Sequence, residues 1–274
     1  MKVTMLNTIE NRKRLNSLFQ KIRLQNPSGE STKDKGAKIQ QIMAYLEIVH
    51  SIIRKYSPKR EIVIVDCASG NNYLSFLINT FYSELYPKRL KIHCIDTNES
   101  LMENGRQKAT ELGFENMQFY TGDILDVSIP GKIDLVVSLH ACDAATDKAL
   151  FFGLKHGANT ILSVSCCQHS LKKKIRHSSS KSITKHQIFK DRMTYMVGDS
   201  LRALLMETEG YKTDLFEFVS SRYTDKNIML RAKKGGHSKS AEARHEYECL
   251  ANLFHAQPEL EDYIRHNLSF RKSG

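Results

Sequence analysis

Five short apolar runs, each ending in a polar or reactive residue and most followed by a helix-length stretch, constrain this chain most. They are "EIVIVDCASG" from Glu61, "LKIHCID" from Leu90, "MQFYTGD" from Met117, "IDLVVSLH" from Ile133 and "TILSVSC" from Thr160. Runs this short and this rich in β-branched residues read as strands buried on both faces. Strands alternating with helices close into a mostly parallel sheet with helices on both faces. In such sheets ligands collect at the carboxyl ends of the strands, near the switch in strand order. The expected fold class is therefore α/β, and the reactive run ends should face one crevice.

The rest of the chain fits around that sheet. Helical spacing marks residues 9–25 (Leu15, Leu18, Phe19, Ile22) and 38–55 (Ile39, Ile42, Met43, Leu46, Val49, Ile53), with the turn-rich "NPSGESTKDKG" between them. Further helices are expected near 73–85, 99–112, 144–155 and 197–209, and "KTDLFEFVSS" with "NIMLRAKK" as an antiparallel pair completes seven strands. "AEARHEYECLANLF" and "ELEDYIRHNL" read as two helices meeting at Pro258. The expected division is a helical extension over 1–57, an α/β domain over 58–234 and a helical extension over 235–274 packed on the domain.

Composition excludes several classes. The chain has 274 residues, 41% of them hydrophobic and 26% charged, enough for a large core. No apolar stretch approaches the ~20 residues that cross a bilayer, and the N-terminus lacks the apolar core of a signal peptide. Six cysteines are too sparse for a disulfide scaffold, so a reducing cytoplasm is the expected compartment. The formal charge of +11 is compatible with a polyanionic partner. Residues 172–192, "KKKIRHSSSKSITKHQIFKDR", hold eight Lys or Arg against one Asp. They read either as a solvated flexible loop, a lid, or an RNA surface. No obligate protein partner is expected.

Asp66-Cys-Ala68-Ser-Gly70-Asn-Asn72 has one glycine where a dinucleotide turn needs three, so a NAD site fits poorly. The stretch resembles instead the first motif of class I S-adenosylmethionine-dependent methyltransferases, an acidic residue followed by a Gly-rich turn, with Ala68 at the family's first glycine and Asn72 where a glycine is frequent. That resemblance implies a Rossmann-like methyltransferase fold with S-adenosylmethionine as cofactor. It implies cofactor contacts from Asp66, Ala68, Gly70 and Asn72, from Asp96 and Thr97 (ribose hydroxyls), from Asp123 and Ile124 (adenine), and from His140 (methionine end). Each acid on its own also reads as a surface or capping Asp.

"SLHACDAATDKAL", "SCCQHSL", "DSLRALLMETEGY" and "DKNIMLRA" narrow the likeness to a group of bacterial methyltransferase-domain proteins. The H-x-C-x-x-x-T-D and C-C-x-H elements are similar to those of the eukaryotic tRNA 2′-O-methyltransferase of the acceptor stem, which makes RNA the implied acceptor.

Methyl transfer needs orientation and the movement of one proton. His140 can take that proton, or pack and hydrogen-bond to the cofactor. Asp143 can orient His140, or cap the helix that follows; Asp147 has the same reading as a first-turn charge. Cys166, with Cys142, matches in place the cysteines of some RNA cytosine-C5 methyltransferases, so a covalent role stays open, although their proline-cysteine signature is absent. Lys226 and Asn227 either reach the acceptor pocket or form a solvated turn. Cys67 and Cys94 read as packing residues. Adjacent cysteines chelate poorly, so no metal site is expected. An enzyme acting on RNA leads; a methyltransferase for a protein or small molecule, and a non-catalytic RNA-binding protein, are the alternatives.

Overall fold

The computed structural model describes residues 9–141, 143–175, 181–235 and 240–272. Seven strands form one mostly parallel sheet in the order β3-β2-β1-β4-β5-β7-β6, flanked by helices. They are β1 Ile62–Cys67, β2 Leu90–Asp96, β3 Met117–Thr121, β4 Leu135–Ala141, β5 Thr160–Ser165, β6 Tyr211–Glu217 and β7 Ile228–Lys234. By their contacts the residues group into two compact units, Met1–Gly122 with Glu217–Asn227, and Asp123–Phe216 with Ile228–Gly274.

In the first unit β1 pairs with β2 and β2 with β3, all parallel. Ile62, Ile64, Val65 and Cys67 of β1 are buried, as a strand covered on both faces requires. Helices α1 (Ile9–Lys21) and α2 (Lys33–Ile53) belong to this unit. The helical spacing of the sequence is their buried face: Leu15, Leu18, Phe19, Ile39, Ile42, Leu46, Val49 and Ile53 are buried, whereas Met43 is half-buried. Each such side chain removed from water contributes roughly 1.5–3 kcal/mol. Thr32 caps α2 by accepting the Lys35 amide at 3.4 Å. Helix α3 (Tyr73–Thr80) runs into a π-helical turn, Phe81–Leu85. Asn98 caps α4 (Glu99–Glu111) through the Leu101 amide at 3.1 Å.

In the second unit β4 runs parallel to β5, and β5 antiparallel to β7. Helix α5 (Ala144–Lys155) packs on both β4 and β5. After β5 come α6 (His169–Lys174), α7 (Lys181–Thr184) and α8 (Gln187–Thr208). The basic segment is thus largely helical where it is described, and residues 176–180, including Arg176, lie outside the described residues. Helix α8 begins ten residues before the expected 197, because its first turns carry Ile188, Phe189 and Met196 on the exposed side and hide the usual apolar period. Helix α9 (Ser240–Phe254) packs on α8, and α10 (Glu259–Lys272) on α5. Among the described residues, no helix is long and apolar enough to cross a membrane.

Candidate active site

In the first unit the turn after β1 stands out. Three of its residues have left-handed backbone, Ala68 (φ 58°), Gly70 (φ 53°) and Asn72 (φ 58°). For Ala68 that conformation costs roughly 1–2 kcal/mol, a strain that clusters at functional positions. A Cβ added at Gly70 would meet nothing within 4 Å, so that side of the turn is open. The turn is fastened to the end of β2. The Ser69 amide donates to the Ile95 carbonyl at 3.0 Å and the Gly70 amide to Asp96 Oδ2 at 2.9 Å. Asp96 Oδ1 accepts the Asn98 amide at 2.9 Å, which ties the same carboxylate to the start of α4. Asp96 is half-buried and Thr97 exposed.

Asp66 lies beneath this turn. It is buried, and its Oδ2 accepts the Ser75 hydroxyl at 2.6 Å. Burial pushes its carboxyl up to about 7, against the pull of Ser75 and with the negative charge of Asp96 adding to the rise. Burial likewise raises the thiols of Cys67 and Cys94 well above their ordinary range, which suits inert packing residues. Asn72 donates from Nδ2 to the Gly70 carbonyl at 3.2 Å, while its Oδ1 is buried with no partner among the described residues. Lys226 is in this unit's other segment. Its amide donates to Thr224 Oγ1 at 3.0 Å, and its Nζ lies 3.4 Å from the Asp225 carboxylate. Asn227 is buried, with Nδ2 donating to the Val219 carbonyl at 3.2 Å, so this is a closed loop rather than a solvated turn.

The second unit begins at Asp123. Oδ1 accepts the Leu125 amide at 3.0 Å, and Oδ2 is ion-paired with Lys148 of α5. Partial burial opposes ionisation, but the Lys148 and Leu125 bonds and the Lys148 charge outweigh it and lower the carboxyl. Ile124 is buried.

The ends of β4 and β5 are laced together. His140 has φ 64° where the β4–β5 register shifts between Leu139 and Ala141, so it occupies a bulge in left-handed backbone. Its carbonyl accepts the Cys166 thiol at 3.4 Å. Asp143 (φ 52°) donates its amide to the Cys167 carbonyl at 3.1 Å. Its carboxylate accepts the Ser170 amide at 3.0 Å and the Ser170 hydroxyl at 2.6 Å. Asp143 therefore stands at the N-cap of α5 without capping it by side chain; the carboxylate turns to α6 because Ser170 offers two donors. The Tyr195 hydroxyl donates to the Cys166 carbonyl at 3.2 Å. His140, Asp143 and Cys166 are thus brought together, while Cys142 lies outside the described residues.

Beneath them is a buried ionic network that sequence reading missed. Arg202 of α8, 2% exposed, donates to both oxygens of Asp147, at 2.7 and 3.1 Å. Asp147 is therefore a buried ion-pair partner rather than a helix-dipole charge. Asp199, 3.7 Å from Arg202, accepts the Ser165 hydroxyl at 2.9 Å and Gln168 Nε2 at 3.0 Å. Burial raises the Asp199 carboxyl, more than Arg202, Ser165 and Gln168 lower it. Gly198 makes room for this packing, since a Cβ there would lie 1.8 Å from Gln168 Oε1. A sequence signal existed: "GDSLRALLM" sets Asp199 and Arg202 into a run otherwise fit for the core.

The family model described as a methyltransferase domain matches residues 37–174, about half of the chain. A curated relative, a glutathione S-transferase C-terminal domain-containing protein of Bos taurus, is 24% identical over 167 residues, 61% of this chain. The chain spans about a quarter of that relative's length. Among solved structures it is similar to the 23S rRNA methyltransferase ErmE, at 12% identity over 77% of this chain and 75% of that one, with TM-score 0.46. It is also similar to the magnesium protoporphyrin IX methyltransferase of Synechocystis PCC 6803 with bound SAM, at 14% identity over 84% and 93%, with TM-score 0.46. The family match covers β1 to β5 with the turn after β1 and the paired ends of β4 and β5, and the chain accordingly belongs to the methyltransferase domain family.

Proposed function

We propose that this chain is a methyltransferase that takes its methyl group from S-adenosylmethionine and delivers it to RNA. The residues after β1 fit that cofactor. Each Asp96 oxygen already accepts one amide and keeps a lone pair for a ribose hydroxyl. Gly70 leaves open space where a Cβ would intrude, and Asn72 Oδ1 is a buried acceptor still to be satisfied. Bound there, the cofactor supplies a sulfonium methyl carbon open to in-line displacement. The chain's own part is to hold the acceptor and receive its proton, and in this reading His140 is the base. Cys166, whose thiol is a donor to the His140 carbonyl, positions rather than attacks. Asp96→Ala is expected to weaken S-adenosylhomocysteine binding by about 1.5–3 kcal/mol, the scale of hydrogen bonds to a charged group. Calorimetry on folded Asp96→Ala protein with unchanged affinity would remove the ribose assignment.

One observation carries the RNA reading: cations follow β5 directly, in the unit that holds His140. Lys173 and Lys174 are exposed, and Lys172 is ion-paired with Asp191. Phe189 and Arg192 are exposed in the first turns of α8, and Lys185 is exposed in the turn just before it, a mixture of cations and an aromatic face that suits phosphates and an unstacked base. The likeness of the two motifs to a tRNA 2′-O-methyltransferase makes tRNA the first acceptor to test. Each phosphate contact adds about −0.7 to −0.9 to the slope of log affinity against log salt. Changing Lys172, Lys173 and Lys174 together to Ala is expected to reduce that slope by roughly two units, with cofactor affinity unchanged. A triple variant with the wild-type slope returns this segment to solvated charge.

A further inference from the structure

We propose that Cys166 and Cys167 form a dithiol that hydroperoxides oxidise reversibly to a vicinal disulfide, an oxidation site at the carboxyl end of β5. The inference does not depend on the acceptor being RNA.

The two sulfurs lie 3.4 Å apart, already at contact, and both residues are partly exposed. They contrast with Cys67 and Cys94, which are fully buried with raised thiols and closed to a solvent oxidant. The backbone around the pair is fixed on three sides: the Cys166 carbonyl accepts Tyr195, the Cys167 carbonyl accepts the Asp143 amide, and Asp143 grips Ser170. Two thiols held at contact need little chain entropy to join, the same advantage that orientation gives any intramolecular reaction.

The chemistry balances with a hydroperoxide as oxidant. One cysteine thiolate attacks the distal peroxide oxygen, the O–O bond breaks, and hydroxide or alkoxide leaves with the electron pair and takes up a proton. The sulfenic acid so formed is attacked at sulfur by the neighbouring thiolate. The S–S bond forms, the S–O bond breaks, and the hydroxyl leaves as water after protonation. Two thiols have lost two electrons and the peroxide has gained them. Consecutive Cα atoms are about 3.8 Å apart, below the roughly 4.4–6.8 Å of relaxed disulfides, so the bond is strained and easily reduced again. Oxidation also removes the thiol proton that Cys166 gives to the His140 carbonyl, and so loosens the link between the two strand ends.

Tryptic cleavage places both cysteines, and no other, in the peptide His156–Lys172. Full-length protein is titrated with hydrogen peroxide, alkylated without reduction, digested and weighed. The expected result is a His156–Lys172 peptide lighter by about 2 Da than its dithiol form, closed to alkylation and opened again by dithiothreitol. It should arise at lower peroxide than is needed to block half of Cys249, the exposed thiol that serves as reference. Cys167→Ser should abolish the light peptide. Double alkylation of the pair beyond the dose that blocks Cys249 overturns the proposal, as does a disulfide joining this peptide to another.

Discussion

Replacing Arg202 by methionine is expected to destabilise the protein by about 3–5 kcal/mol, the cost of leaving buried charge without its partner. The side chain is fully buried, doubly bonded to Asp147 and close to Asp199, and both acids are themselves buried. Without the guanidinium, two carboxylates remain in a low dielectric and neutralise only by taking up protons. The loss should therefore be larger at pH 8 than at pH 5. A denaturant midpoint lowered at unchanged slope is the measurement; a shift worth less than about 1 kcal/mol contradicts the network's role. Adding Asp147→Leu to Arg202→Met should recover part of the loss, because an apolar replacement of a buried pair is often tolerated. Through Asp147 the network supports the helix after His140, and through Asp199 it supports Ser165 and Gln168 beside Cys166. Arg202 is thus a positioning residue for both strand ends.

The second large effect belongs to Asp66 and is a dependence on pH. Its folded carboxyl titrates at about 7, above the ordinary 3.8, because it is buried. The folded protein holds this proton where the unfolded chain releases it. Its contribution to stability is therefore complete below about pH 4 and is lost as pH rises to about 7. A shift of that size corresponds to at most ~4 kcal/mol across the window. His93 works the other way: burial lowers it to about 4, so its share falls as pH drops from 6.5. Comparing wild type with Asp66→Asn cancels His93. The variant keeps an oxygen for the Ser75 hydroxyl and cannot ionise, so the wild type should lose stability relative to it between pH 5 and 8. Parallel pH profiles for the two proteins contradict a buried, elevated Asp66.

What could be read from the sequence depended on whether the cause was local. Strands β1, β2, β4 and β5 stand where their β-branched runs place them, and α5 spans the expected 144–155. Asp96 is where an acid after the second strand was expected, though its grip on the Gly70 amide needed coordinates. The start of α8 was hidden because its outer face carries apolar side chains that a core-facing period does not explain. The π-helical turn after α3 has no sequence signature among its Phe, Tyr, Ser, Glu and Leu. Nor does the bulge at His140, where the backbone alone departs from the strand. Asp147 and Arg202 are 55 residues apart, so neither announces the other. The same holds for Asp143 and Ser170, whose contact stands in place of the side-chain cap that was one reading of Asp143.

The proposal of an RNA methyltransferase meets its most direct test in the fate of the methyl group. The protein is incubated with S-adenosylmethionine labelled in that methyl and with separate RNA, protein and small-molecule fractions of a cell extract. The expected result is label in RNA, released by ribonuclease and absent when His140→Ala protein of unchanged cofactor affinity is used. Label confined to the protein or small-molecule fraction, or RNA labelled equally by the His140→Ala variant, would contradict the account.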